Sequence, residues 1–144
     1  MSVMIRILGS SDLGVLDRVD PEVFDHPVDP DLAAEFLSDS RHHLAVALDG
    51  DLVVGMASAV HYVHPDKPPQ LWVNEVGVAP GYRAQGIGRR LLEALFARAR
   101  ELGCGEAWVL TDWENEAARR LYASVGGRED PPDGAVLVSF ELRP

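Results

Sequence analysis

The chain of 144 residues is long enough for one compact domain and short for two, so a cofactor site and a substrate site would have to share one core. Hydrophobic residues at 47% and charged residues at 25% are globular proportions, which exclude a disordered or collagen-like chain. The net charge of −10 sets 23 acidic residues against 13 Lys and Arg, 12 of them Arg, a balance opposite in sign to that of a phosphate-binding nucleic-acid protein.

Gly and Pro clusters divide the chain into short alternating units without an internal repeat. Residues 3–8 read as a first strand, and Asp12 as the cap of a short helix over 12–19. Asp29-Pro30 is an N-cap followed by proline at the first helical position, opening a helix that runs to 39. Residues 43–48 and 52–62 read as strands joined through Asp49-Gly50-Asp51, whose Asp-Gly pair signals a hairpin. Pro65, Pro68 and Pro69 make the next connection a loop, and residues 71–79 are again strand-like. Residues 86–102 carry the clearest helical period, with Ile87, Leu91, Leu92, Leu95, Phe96, Ala99 and Leu102 on one face and Gly103 as terminator. A strand over 106–111, a helix over 115–124 and a last strand over 135–142 complete the expected order. This mixture predicts an α/β domain over 1–144 whose sheet is antiparallel at first and changes direction near the C-terminal helices.

No apolar run approaches the ~20 residues of a membrane span, and the first residues lack a signal-peptide layout, so a cytoplasmic protein without membrane contact is expected. The lone Cys104 excludes a disulfide framework, and the five His show no ligand spacing, so no metal site is expected.

The stretch from Val76 to Arg90 runs from a strand through a Gly-punctuated turn straight into the long helix. Unpaired N–H groups and the positive end of the helix dipole favour an anion there, with Arg83, Arg89 and Arg90 adding charge and Gly86 and Gly88 admitting a ligand close to the backbone. A pyrophosphate suits several convergent donors; a purely structural turn is the alternative. No Gly-Lys-Ser/Thr follows, and the three-glycine dinucleotide fingerprint is missing.

Arg83-Ala84-Gln85-Gly86-Ile87-Gly88 resembles the Gln/Arg-x-x-Gly-x-Gly/Ala acetyl-CoA motif of the GCN5-related N-acetyltransferases. Asn115 to Gly126 likewise resembles that family's Asn-x-x-Ala-x-x-Leu-Tyr-x-x-x-Gly helix. The resemblance covers essentially the whole chain and implies a mixed sheet, flanked by helices and splayed between its fourth and fifth strands, with acetyl-CoA in the splay. It implies pyrophosphate contacts from Arg83, Ala84, Gln85, Gly86, Ile87, Gly88 and Arg89, pantetheine contacts from Val76 and Val78, and a cofactor role for Asn115.

Acetyl transfer to an amine requires a base for the ammonium proton and an acid for the departing thiolate. Tyr122 matches the family tyrosine near the sulfur and is the expected acid; its alternative is a place in the apolar face with Ala118, Leu121 and Val125. Glu75 stands in an apolar strand, where burial would raise its pKa and make it a base, unless it lies at an exposed edge. His26, with Asp25 to orient it, is the rival base on the connection between the first two helices. Asp25, His26, Glu75, Asp112 and Glu114 are the expected acceptor-binding groups, pointing to a cationic amine.

Within the family the chain is most similar to the type I aminoglycoside 3-N-acetyltransferases, through Glu75 in the place of an Asp, Asp112 followed by an aromatic, and the Phe140-Glu141-Leu142 ending. That likeness implies acetylation of the 3-amino group and antibiotic resistance through the lost charge. A polyamine or peptide amine as acceptor, and a non-catalytic acyl-CoA-binding module, are the competing readings. Exposed apolar strand edges leave a homodimer open.

Overall fold

In the computed structural model, which describes residues 2–142, five strands form one sheet in the order β1-β2-β3-β4-β5. The strands are β1 (Val3–Ile7), β2 (His42–Asp49), β3 (Leu52–Tyr62), β4 (Gln70–Val78) and β5 (Glu106–Val109). The first four pair antiparallel, β2 and β3 through the Asp-Gly hairpin with Gly50 at φ +62°, and β4 pairs parallel with β5. The change of direction falls where the chain crosses through the long helix, as the pattern of elements predicts.

Helix α1 (Pro30–Ser38) starts where Asp29 accepts hydrogen bonds from the N–H groups of Asp31 and Leu32 at 2.9 and 3.0 Å. Helix α2 (Ile87–Glu101) buries Ile87, Leu91, Leu92, Leu95 and Ala99 against Ala45, Ala47, Ala57, Ala59, Leu71 and Val73 of the sheet. Small residues on the strands let this helix settle close to the sheet, where a leucine-to-alanine change costs roughly 2–5 kcal/mol. Helix α3 (Glu116–Ser124) lies at the edge of this layer, with Leu121 and Tyr122 partly buried and no residue fully so. The opposite face carries a second core of Leu44, Val46, Val53 and Met56 under α1 and the chain before it.

Three expectations change. The first helix is a single 3-10 turn (Leu13–Asp17), since a segment this short gains its stability from packing Leu16 rather than from helical cooperativity. Strand β5 stops at Val109 instead of 111, because its partner stretch on β4 ends at Val73. Residues 135–142 form no strand: Val136, Leu137, Val138, Phe140 and Leu142 are 64–92% exposed. Alternating hydrophobicity supplies a strand-compatible face but not a partner edge, and after the Pro131–Gly134 turn this segment has no ladder to join. Among the described residues, no helix is long and apolar enough to cross a membrane.

At the end of the sheet away from the Gly-rich turn, buried His43 exchanges a 2.8 Å hydrogen bond with His61, the rings stacked at 5.1 Å. Burial, with His61 and Arg98 nearby, lowers the His43 pKa from 6.5 to about 4. The folded state therefore holds this ring neutral while the unfolded chain protonates it, so stability is full above pH 6.5 and is lost as the pH falls toward 4. Urea unfolding is expected to show a loss of about 2–3 kcal/mol across that window. His43→Gln should flatten the profile; an unchanged slope would refute the assignment.

Candidate active site

The site is built around β4. Over Gln70–Val73 this strand pairs with β3 on one side and β5 on the other. The β3 register then shifts: Ala59 opposes Val73, but Ser58 opposes Glu75, which leaves Asn74 as an extra residue. Strict alternation would put Glu75 on the α2 face with Val73. The bulge instead turns it to the opposite face, where it lines a pocket beside Ser58. Glu75 is exposed rather than buried, which corrects the expectation of a carboxylate buried in an apolar strand.

The pocket, about 300 Å³, lies between the sheet, α1 and the loop before α1. Leu44, Ser58 and Glu75 form one row across β2, β3 and β4 as its floor. Asp25 and His26 close it from the loop, so three of the predicted acceptor and base residues meet in one cavity. Gly77 sets the loop's height: a Cβ there would lie 2.3 Å from the Val23 carbonyl oxygen. Asp112 and Glu114, expected in the same group, do not line the pocket; they are exposed on the connection after β5, where their carbonyls accept from Asn115 and Glu116. Phe24, Phe36 and Ser58 were not singled out from sequence. Phe36 joins the lining through its place on α1, and Ser58 becomes visible only through the strand register.

Past Val73, β4 has no strand partner on its β5 side, so the edge at Val76 and Val78 is open except for the Val78 carbonyl, which Arg83 reaches. This edge leads through a 3-10 turn (Pro80–Tyr82) to α2, whose N-cap, Gly86, has φ +77° and no side-chain cap. The first intrahelical bond is that of Arg90 N–H to the Gly86 carbonyl, which leaves the preceding amides free for an anion. Ala84 also adopts a positive φ, 61°. The turn is fastened on both sides: the Tyr82 hydroxyl donates to Asp49, and Arg83 Nε donates to the Val78 carbonyl at 3.0 Å.

Several predicted cofactor residues have other duties. Arg89 pairs with Glu93 at 2.7 Å, and Arg90 donates to the Val3 carbonyl at 2.9 Å, so the field at the turn comes mainly from backbone dipoles and Arg83. A Cβ on Gly88 would lie 3.1 Å from Leu121, so this glycine also lets α3 approach α2. Asn115 caps α3 by accepting from Ala118 N–H at 3.1 Å. Gln85 reaches back to the Gly81 carbonyl at 3.4 Å.

Tyr122 is half-buried on α3, and burial raises its phenol pKa above the ordinary 10. Burial also pushes the Cys104 thiol up, which argues against a nucleophile there. Among the described residues, no group of His, Cys, Asp and Glu is arranged to hold a metal ion.

The profile of the acetyltransferase (GNAT) family matches residues 13–126, and the chain belongs to that family, whose members use acetyl-CoA. The RimI N-alpha-acetyltransferase of Mycobacterium tuberculosis is 32% identical over 124 residues, 79% of this chain and 76% of that protein. The streptothricin acetyltransferase of Streptomyces lavendulae is 39% identical over 89 residues, and the match takes in 62% of this chain but only 45% of that relative. In three dimensions the aminoglycoside N-acetyltransferase AAC(6')-Iy, bound to a bisubstrate analog, superposes with a TM-score of 0.79 at 20% identity, over 98% of this chain and 99% of that one. At that identity the likeness concerns the fold.

Gly77→Ala should lift the loop from β4, at about 1–3 kcal/mol of stability. Amide exchange is expected to rise over residues 23–28 and not in α2; a uniform rise would mean that Gly77 does not set the loop.

Proposed function

We propose that the protein transfers an acetyl group from acetyl-CoA to a primary amine of a small cationic molecule. The observation that carries this reading is the meeting, on one strand, of an anion-binding helix end, an open strand edge and a pocket floored by Glu75. The free amides at the start of α2 suit a pyrophosphate, and the open edge at Val76 and Val78 suits an amide-bearing arm such as pantetheine, so the residues fit the cofactor.

When bound, acetyl-CoA supplies an activated thioester for the amine to attack. Glu75, held by the bulge at the floor of the pocket, accepts the ammonium proton directly or through a water. His26 stands across the same pocket on the loop, where it assists or orients the amine. The Tyr122 hydroxyl, kept protonated by burial, donates to the departing sulfur. The α2 amides and Arg83 hold the pyrophosphate, so a chain of net charge −10 still binds an anion where local donors dominate.

Cationic antibiotics belong to the proposed acceptor class, and the carboxylates of Asp25 and Glu75 support it. The fold shared with AAC(6')-Iy supports an aminoglycoside acceptor without favouring the 3-amino position expected from sequence; NMR of an acetylated product would assign the nitrogen. Similarity to RimI over most of both chains supports a peptide amine as the second reading.

Glu75→Gln is expected to lower kcat/KM for the amine about 100-fold, and His26→Gln by less than about tenfold. The reverse ranking would transfer the base role to His26. Tyr122→Phe should lower kcat about 100-fold at an unchanged KM for acetyl-CoA. Unaltered turnover would remove the tyrosine from the mechanism. Gly86→Glu should weaken acetyl-CoA binding at least about 100-fold, read by calorimetry, because it adds charge and a side chain at a positive φ. Unchanged affinity would overturn the cofactor assignment.

A further inference from the structure

We infer that the acceptor is a primary amine carried on an apolar body, with no carboxylate beside the amine. The inference rests on the acetyl-transfer reading above and narrows its substrate class.

The floor row ends in Glu75, while the walls opposite it are Phe24, Leu32 and Phe36. Phe36 is held by stacking on the His42 ring at 4.9 Å and 12°. Leu32 stands 66% exposed at the pocket, on α1, whose buried residues are Ala33 and Leu37. The pocket therefore offers an anionic end and an apolar wall, complementary to an ammonium with a hydrocarbon substituent.

The carboxylates of the lining face no Lys or Arg, and His26 is its one basic side chain. Asp29 is committed to the amides at the start of α1, whereas Asp25 and Glu75 have no ion-pair partner among the described residues. A free amino acid would bring its own carboxylate against these two without a counter-charge, a built-in rejection. A polyhydroxylated sugar would be held only at the end that carries Asp25, Glu75 and Ser58: hydroxyls set against Phe24, Leu32 and Phe36 would lose water without gaining a partner.

The test compares CoA-thiol release from acetyl-CoA with leucinamide, 2-phenylethylamine, a Leu-Ala-Ala peptide amide, leucine and kanamycin. Leucinamide or phenylethylamine is expected to exceed leucine and kanamycin at least about tenfold in kcat/KM. Turnover of the peptide amide at a comparable rate would support the same chemistry and identify a chain terminus as its source; leucine equal to leucinamide, or kanamycin as the best acceptor, would overturn the inference. Leu32→Asn should reduce the preference for phenylethylamine over methylamine at least about threefold, and an unchanged ratio would count against the apolar wall. Calorimetry on the CoA-saturated protein separates the two proposals. Leucinamide binding in preference to leucine without any thiol release would sink acetyl transfer and leave the pocket assignment standing. Turnover without that preference would overturn the pocket assignment and leave acetyl transfer standing, and no amine binding at all would overturn both.

Discussion

The site depends on one interruption of backbone pairing. Strand β4 loses its β5 partner after Val73 and takes in an extra residue, Asn74, against β3. Loss of the partner opens the edge at Val76 and Val78, and the extra residue turns Glu75 from the α2 face to the pocket face. The proposed cofactor edge and the proposed acceptor floor are thus consecutive residues of one strand. Because β3 still pairs with β4 through Val78, the interruption stays local and the strand remains rigid where the chemistry is proposed.

Two ligands of opposite charge would meet at this strand, and the fold separates the groups that attract each. The anion-binding end uses backbone N–H groups at the start of α2, which carry partial positive charge whatever the net charge of the chain. Arg89 and Arg90 are turned to Glu93 and Val3, so side-chain charge adds less there than the sequence suggests. On the other face, the carboxylates of Asp25 and Glu75 line the pocket without a cation among its lining. The loop bearing Asp25 and His26 reaches this position because Gly77 leaves room for the Val23 carbonyl.

Much of this was legible in the sequence where the signal is local. The Asp29-Pro30 cap, the Asp-Gly hairpin, the α2 period and the Gly-rich turn each follow from residues within one or two turns of chain, and each is found. Readings that needed a partner fared differently. Residues 135–142 alternate as a strand should, yet find no ladder, and Asp112 and Glu114 share the acidity of Asp25 without entering the pocket. Gly88 has a steric duty that depends on Leu121, more than thirty residues away.

The sequence by itself determined the Asp-Gly hairpin, helices α1, α2 and α3, the family motifs and the short list containing Glu75, His26 and Tyr122, because hydrophobic period, capping and turn chemistry are set by near neighbours. Only the tertiary structure decided which face Glu75 occupies, which carboxylates share a cavity, and how apolar that cavity is. Those properties arise from register between strands and from loops meeting sheets, and a one-residue bulge reverses them without altering the local pattern that a sequence displays.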